Sequence, residues 1–196
     1  MQDGKIKKIV IIGPESTGKT TLCRQLSEHY QAVWCPEYAR EYLLKHGMDY
    51  SYADLLTIAK GQIGLEERYE IDVRGPRSEV RSPHSGLRTP DSRLFFVDTD
   101  MYVMKVWCEF VFGKCHEYIL DQIKKRKYDL YLLCNVDLPW VKDELREYPD
   151  LVTREKLYHI YKNIMVNQSV PWVDISGSYE ERLRKAIAAT GTLLNE

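Results

Sequence analysis

Two rhythms of apolar and polar positions alternate along this chain. Short runs dominated by apolar residues fall at Lys8 to Ile12, Ala32 to Cys35, Leu94 to Val97, Asp129 to Cys134 and Val170 to Ile175. Between them lie longer stretches in which apolar residues return every three or four positions, such as Leu22, Leu26 and Tyr30, or Leu55, Ile58, Ala59 and Ile63. The short runs predict buried strands, and the longer stretches predict amphipathic helices. Further helices are predicted over Tyr38 to His46 (stopped by Gly47), Met101 to Phe112, Glu117 to Lys127 and Thr153 to Asn167. Ser51 with Asp54, and Ser178 with Glu181, have the spacing of reciprocal helix caps. Strands and helices alternate from end to end without an internal repeat, which argues an α/β architecture around a parallel sheet.

One stretch breaks the rhythm. Asp72 to Arg93 contains Pro76, Pro83 and Pro90, is rich in serine and arginine, and has no period. It reads as a loop or insertion of about 20 residues, longer than compact domains usually carry, and as an excursion without a part in the chemistry.

The candidate chemistry begins at the end of the first strand. Gly13-Pro14-Glu15-Ser16-Thr17-Gly18-Lys19-Thr20 follows Ile9-Val10-Ile11-Ile12 and opens a helix. This is a phosphate-binding loop, G-x-x-x-x-G-K-[ST], in its required context of strand, turn and helix. Its glycines allow the backbone to wrap phosphate oxygens with N–H groups, and the helix turns its positive end toward the anion. Lys19 supplies a mobile charge for the β- and γ-phosphates, and the Thr20 hydroxyl is a Mg²⁺ ligand type. ATP and Mg²⁺ are therefore the expected cofactors. Asp98 ends an apolar strand, the usual place of a carboxylate that holds Mg²⁺ opposite the loop threonine. Glu37 and Arg40 follow the second strand, at the edge of the sheet where open α/β folds bind ligands. Glu37 is a candidate base for a substrate hydroxyl, and Asp100 competes with it for that role. Arg146 and Arg154 flank Glu147 to Leu151. Mobile arginines over phosphates exclude water and stabilise charge, although alone these two read as solvated helix-flanking residues. Tyr102, Trp107 and Trp140 fall at or just after strand ends, where a flat ring can stack.

Composition narrows the class. The chain has 196 residues, enough for one domain with a proper core, and 44% hydrophobic and 29% charged content, ordinary for a globular protein. A formal net charge of −1 draws the molecule to neither nucleic acid nor an anionic membrane. The run Lys124 to Lys127 reads as a solvated helix end. No signal-peptide core is present and no apolar run approaches the ~20 residues of a membrane span, so the expected location is the cytoplasm. Cys23, Cys35, Cys108, Cys115 and Cys134 include no C-x-x-C pair and read as small buried hydrophobes. The GTPase signature N-K-x-D is missing, since the matching strand end reads Asn135-Val136-Asp137-Leu138. The oligomeric state is not readable.

Together, G-P-E-S-T-G-K-T-T-L at 13–22, P-E-Y-A-R-E-Y-L at 36–43, D-T-D at 98–100, K-x-W at 105–107, F-G-K-C at 112–115, Y-D-L-Y-L-L at 128–133, P-W at 139–140 and I-S-G-S-Y-E-E-R-L at 175–183 resemble the kinase domain of NadR-type proteins. The resemblance spans nearly the whole chain. It implies a P-loop NTPase fold of the nucleoside/nucleotide-kinase kind: three α/β/α layers with a mainly parallel five-stranded sheet over residues 1–196, with a flexible insertion at about 72–93. It also implies phosphorylation of the 5′-hydroxyl of nicotinamide riboside by ATP, giving nicotinamide mononucleotide. On that resemblance Gly13, Glu15, Ser16, Thr17, Gly18, Lys19, Thr20 and Thr21 bind ATP and Mg²⁺, with Thr20 and Asp98 on the metal. Glu37, Arg40, Asp98 and Asp100 line the acceptor side with Tyr102 and Trp107, and Arg146 belongs to a lid. Two departures stand out. Only a few residues precede the first strand, so an upstream adenylyltransferase activity is not expected, and the 72–93 segment lies outside the family pattern. The alternatives are a kinase for another nucleoside or small alcohol, and an ATP-binding regulator without turnover.

Overall fold

The computed structural model describes residues 6–74 and 94–195. Strands β1 (Lys7–Ile12), β2 (Val33–Cys35), β3 (Leu94–Asp98), β4 (Leu130–Cys134) and β5 (Trp172–Ile175) form one parallel sheet in the order β2-β3-β1-β4-β5. The described helices are α1 (Lys19–Tyr30), α2 (Tyr38–His46), α3 (Tyr52–Arg74), α4 (Met101–Phe112), α5 (Glu117–Lys125), α6 (Leu151–Asn167) and α7 (Tyr179–Leu194).

Strand alternation divides the core into layers. Ile9 and Ile11 face α1 and α7, packing with Leu22, Leu26, Ala186 and Leu193. Val10 and Ile12 face the opposite side and pack with Val103 and Val106 of α4 and with Leu157 and Met165 of α6. A third cluster joins α2, α3, α4 and α5 through Ala39, Leu55, Ile58, Met104 and Ile119. Both faces of the central strands are covered, which is why β1, β3 and β4 are nearly continuous apolar runs. β1 lies between β3 and β4, so crossovers leave it in opposite directions and open a crevice at its carboxyl end. No described helix is long and apolar enough to cross a membrane.

The predicted element order holds, with differences at the boundaries. α3 runs on through residue 74, because Leu65, Tyr69 and Val73 extend its apolar stripe by four-residue steps. The insertion therefore does not open at Asp72, and residues 75–93 lie outside the described residues. α6 begins two residues early, capped by the Asp150 side chain, which accepts from the Thr153 N–H at 2.7 Å. The predicted caps at Ser51/Asp54 and Ser178/Glu181 both form reciprocally. Cys23, Cys35, Cys108 and Cys134 are buried free thiols, and Cys115 is half-buried.

The basic run after α5 is not simply solvated. The helix ends at Lys125, and Arg126 turns inward to donate to Glu66 and Glu67, each at 2.8 Å. The other Glu66 oxygen accepts from the Tyr128 hydroxyl at 2.9 Å. Burial pushes the Glu66 carboxyl above its ordinary range, while Arg126, Tyr128 and Lys8 pull it down. The network pins α3 to the start of β4. Arg126→Met should destabilise the fold by about 3 kcal/mol in urea titration, because it leaves a buried carboxyl without its main cation. An unchanged unfolding midpoint would show that Tyr128 and Lys8 suffice.

Candidate active site at the phosphate loop

The loop from Gly13 to Gly18 lies at the carboxyl end of β1, where the crevice opens. Gly13 has φ 140°, and a Cβ there would meet the Cys134 carbonyl oxygen at 2.7 Å, so only glycine lets the loop leave β1 against β4. Gly18 precedes α1 in the left-handed region at φ 78°, and no side chain caps the helix. The first N–H groups of α1 are thus left for an anion. Within the loop the Thr17 hydroxyl and the Lys19 ammonium both donate to the Pro14 carbonyl, at 2.7 and 2.9 Å. From outside, the Arg182 guanidinium donates to the Thr17 carbonyl at 2.8 Å, and also to Gly177, Asn135 and Asp137.

Beyond the loop, the end of β3 delivers two buried carboxylates in different directions. Thr99 between them has φ 75°, a strained conformation for a β-branched residue, and this kink separates their paths. Asp98 turns toward α1 and accepts from the Thr20 hydroxyl at 2.6 Å, while its Oδ1 is buried without a partner. Burial, and then the charge of Glu37, push the Asp98 carboxyl up to about 7, against the pull of Lys19 and Thr20. A buried carboxylate oxygen with an open valence beside a hydroxyl fits a hard cation such as Mg²⁺, with phosphate and water oxygens to complete its shell.

Asp100 turns the other way. Its Oδ1 accepts from the N–H groups of Tyr102 and Val103 at 2.9 and 3.4 Å, capping α4, and its Oδ2 accepts from the Tyr131 hydroxyl at 2.9 Å. Tyr102 packs edge-on against Tyr131, with ring centres 5.8 Å apart. Asp100 and Tyr102, expected on the acceptor side, are not among the residues that line the cleft: Asp100 is engaged in capping α4, and the half-buried Tyr102 packs on Tyr131.

The cleft itself encloses about 240 Å³ and is lined by the phosphate loop, Glu37, Arg40, Val103, Val106, Trp107, Phe110, Leu145 to Tyr148, Leu157 and Tyr161. The expected residues Glu37, Arg40, Trp107 and Arg146 are all brought here. Glu37 accepts from the Thr99 hydroxyl at 3.4 Å. Arg40 forms a two-bond pair with Asp143 at 3.1 and 3.3 Å, and Arg146 donates to the Val141 carbonyl. The segment 139–150, expected to hold the lid, lies against the phosphate loop. Glu15 accepts from the N–H groups of Glu147 and Tyr148 at 2.9 and 2.6 Å, and the Ser16 hydroxyl accepts from that of Val141 at 3.0 Å. Arg154 is buried beneath the lid's end, with Nε and Nη1 unpartnered.

Sequence reasoning missed Glu147, Tyr148, Phe110 and Tyr161 as cleft residues, and Arg182 as the clamp on the loop. Arg182 stands within the 175–183 motif, but no local pattern marks an arginine three of whose four partners lie 45 to 165 residues away.

A phosphate loop on a five-stranded parallel sheet, facing an acidic strand end and a partly aromatic cleft, defines a P-loop kinase fold. A family model described as an AAA domain matches residues 8–182, and the chain belongs to that family. It is 22% identical to the "Trifunctional NAD biosynthesis/regulator protein NadR" of Salmonella typhimurium and 24% identical to that of Escherichia coli, over 97% of this chain in each case. The chain spans less than half of each relative, 43% of its length. Among solved structures it is similar to a NadR protein in complex with NR, with a TM-score of 0.72 and 21% identity over 97% of this chain and 52% of that one. A NadR protein in complex with NAD and AMP-PNP gives 0.67 and 22%, over 97% and 50%. Thymidylate kinase from Ehrlichia chaffeensis gives 0.57 and 14%, over 95% and 99%. The resemblance to NadR-type proteins read from the motifs thus extends over nearly the whole chain.

Burial pushes the Asp100 carboxyl up to about 7 despite three hydrogen bonds that pull it down. An unfolded aspartate titrates at about 4. Between these values the folded chain keeps a proton that the unfolded chain has released, so Asp100 lowers stability as pH rises from about 4 to about 7. Asp100→Asn retains an acceptor for the helix N–H groups and removes the titration. Its melting temperature relative to wild type should climb between pH 5 and pH 8 in calorimetry. A flat or falling difference would show that the folded carboxyl is ionised throughout.

Proposed function

We propose that the chain is a Mg²⁺- and ATP-dependent kinase that transfers the γ-phosphoryl group of ATP to the 5′-hydroxyl of nicotinamide riboside, giving nicotinamide mononucleotide and ADP in the cytoplasm. The observation that carries this reading is the lining of the cleft beside the phosphate loop. It combines Glu37 and Glu147 with Trp107, Phe110, Tyr148 and Tyr161. A cationic heteroaromatic ring is favoured both over aromatic faces and beside carboxylates. Likeness to NadR over 97% of the chain, including a NadR protein in complex with NR, supports the same acceptor.

In this reading the N–H groups of Gly13 to Thr20 and the Lys19 ammonium hold the β- and γ-phosphates. Thr20 and Asp98 are the residues that would hold Mg²⁺, which when bound offsets charge on the phosphate oxygens. Glu37 sits across the crevice from the loop and takes the proton of the 5′-hydroxyl as its oxygen bonds to the γ-phosphorus. The bond from that phosphorus to the bridging oxygen breaks, and the electron pair leaves with ADP. Arg146 supplies positive charge from the lid, and Arg40 holds the lid to α2 through Asp143.

Two sets of measurements check this. Lys19→Ala should lower kcat by ~10²-fold or more with the fold intact, because its charge acts where transition-state charge grows. Glu37→Gln should lower kcat by about 10²- to 10⁴-fold with a smaller change in KM. Mass spectrometry of products should find nicotinamide mononucleotide, with higher kcat/KM for nicotinamide riboside than for uridine, cytidine or adenosine. Faster turnover of an ordinary nucleoside would assign the site to another nucleoside kinase. Tight ATP binding with no product from any acceptor would assign it to a regulator.

A further inference from the structure

Tyr50 belongs to no phosphate-loop or acceptor motif, yet it sits where three parts of the site meet. Its hydroxyl accepts from the indole N–H of Trp107 at 2.9 Å and donates to the Glu147 carboxylate at 2.8 and 3.1 Å. The backbone N–H of the same Glu147 donates to Glu15 of the phosphate loop at 2.9 Å. A continuous series of hydrogen bonds therefore runs from the phosphate loop, through the lid, to an aromatic wall of the acceptor cleft.

The chemistry of this series leaves little choice at its centre. An indole N–H can only donate, and an ionised carboxylate can only accept. The group between them must accept on one side and donate on the other, as a phenol does. Burial raises the Tyr50 phenol well above its ordinary range, and the Glu147 carboxylate adds to this, so it keeps its proton as a donor. The Tyr50 ring also packs edge-on against Trp107, with centres 5.0 Å apart, and against Phe112 at 6.3 Å. Phenylalanine would preserve those ring contacts and remove both hydrogen bonds.

We propose that Tyr50 is the positioning residue that couples the two substrates, by transmitting the lid's grip on the phosphate loop to the orientation of Trp107 in the acceptor cleft. Nicotinamide riboside as the acceptor rests on the function proposed for the site. Glu147 joins the two halves, because its main chain answers to Glu15 and its side chain to Tyr50. On this proposal the two substrates share one cost, that of tightening residues 139–150 beyond the tethers described: whichever binds first meets it, and the second binds a lid already fixed. Such sharing produces positive coupling, and the coupling is reciprocal. The Trp107 indole would be held in its orientation only while the lid is down.

The test measures coupling rather than activity alone. Titration calorimetry would give the Kd of nicotinamide riboside with and without saturating Mg²⁺ and AMP-PNP, a non-transferring ATP analogue. In wild type the analogue should tighten nicotinamide riboside by about tenfold, within the usual range of such couplings. In Tyr50→Phe this factor should fall below about twofold while AMP-PNP alone binds as in wild type. Tyr42→Phe removes a hydroxyl whose partner is Asp54, outside this series of bonds, and should keep the full factor. A second readout needs no acceptor. With 5-fluorotryptophan incorporated, the Trp107 resonance, assigned by its loss in Trp107→Phe, should move when AMP-PNP is added to wild type and stay still in Tyr50→Phe. Full coupling in Tyr50→Phe, weaker AMP-PNP binding in that variant, or a Trp107 signal that responds equally in both would overturn the proposal. If wild type neither binds nor phosphorylates nicotinamide riboside, the functional reading falls. The fluorine experiment then decides Tyr50 by itself: a response confined to wild type supports the relay, and any other pattern refutes it.

Discussion

The site depends on one buried cation. Arg182, at 3% exposure, gathers the carbonyls of Thr17, Asn135 and Gly177 and the carboxylate of Asp137 around a single guanidinium. Those partners come from the phosphate loop and from the loops that follow β4 and β5. Three backbone segments that share no secondary structure are thereby held at one point. A guanidinium taken out of water is costly unless every donor is matched, and here Nε, Nη1 and Nη2 all find acceptors. The phosphate loop must present its N–H groups inward, which leaves carbonyls pointing outward, and Arg182 takes up the one at Thr17. The curl of the loop is therefore supported by a contact from the tertiary structure.

The same economy explains the acidic strand end. Two aspartates separated by a single threonine would repel each other if both faced the crevice. The left-handed turn at Thr99 sends Asp98 to the loop threonine and Asp100 into the first turn of α4. One becomes a group with an open valence. The other becomes a cap that positions the helix carrying Val103, Val106, Trp107 and Phe110 along the cleft. Burial of both raises their carboxyls to about 7, but only Asp98 is left with an oxygen that has no partner in the fold.

The lid shows how contacts of modest strength can be decisive in sum. The Arg40–Asp143 pair is solvent-exposed and contributes little to stability on its own. Its role is to add one more tether to a segment already held by Glu15, Ser16 and Tyr50. Four attachments from three regions of the chain tether residues 139–150, which have no regular secondary structure of their own.

The sequence by itself determined the parallel sheet, the order of its elements, the phosphate loop and the helix caps. Each of these is a local pattern: apolar runs that can be covered on both faces, a glycine-rich turn between strand and helix, or a side chain three residues from the N–H it satisfies. It also placed Glu37, Arg40, Asp98, Trp107 and Arg146 near the carboxyl edge of the sheet, because strand ends are readable and that edge is where the crevice forms. Only the tertiary structure decided which neighbours point inward. Asp98 and Asp100 are two positions apart, and the left-handed φ of Thr99 gives them different partners. Arg126 reads as one more lysine-like charge in a basic run, until Glu66, 60 residues away, claims it. Tyr50, Glu147 and Arg182 carry no local signature at all. Their roles arise from hydrogen bonds between groups 45 to 165 residues apart, and such partners exist only once the chain has packed.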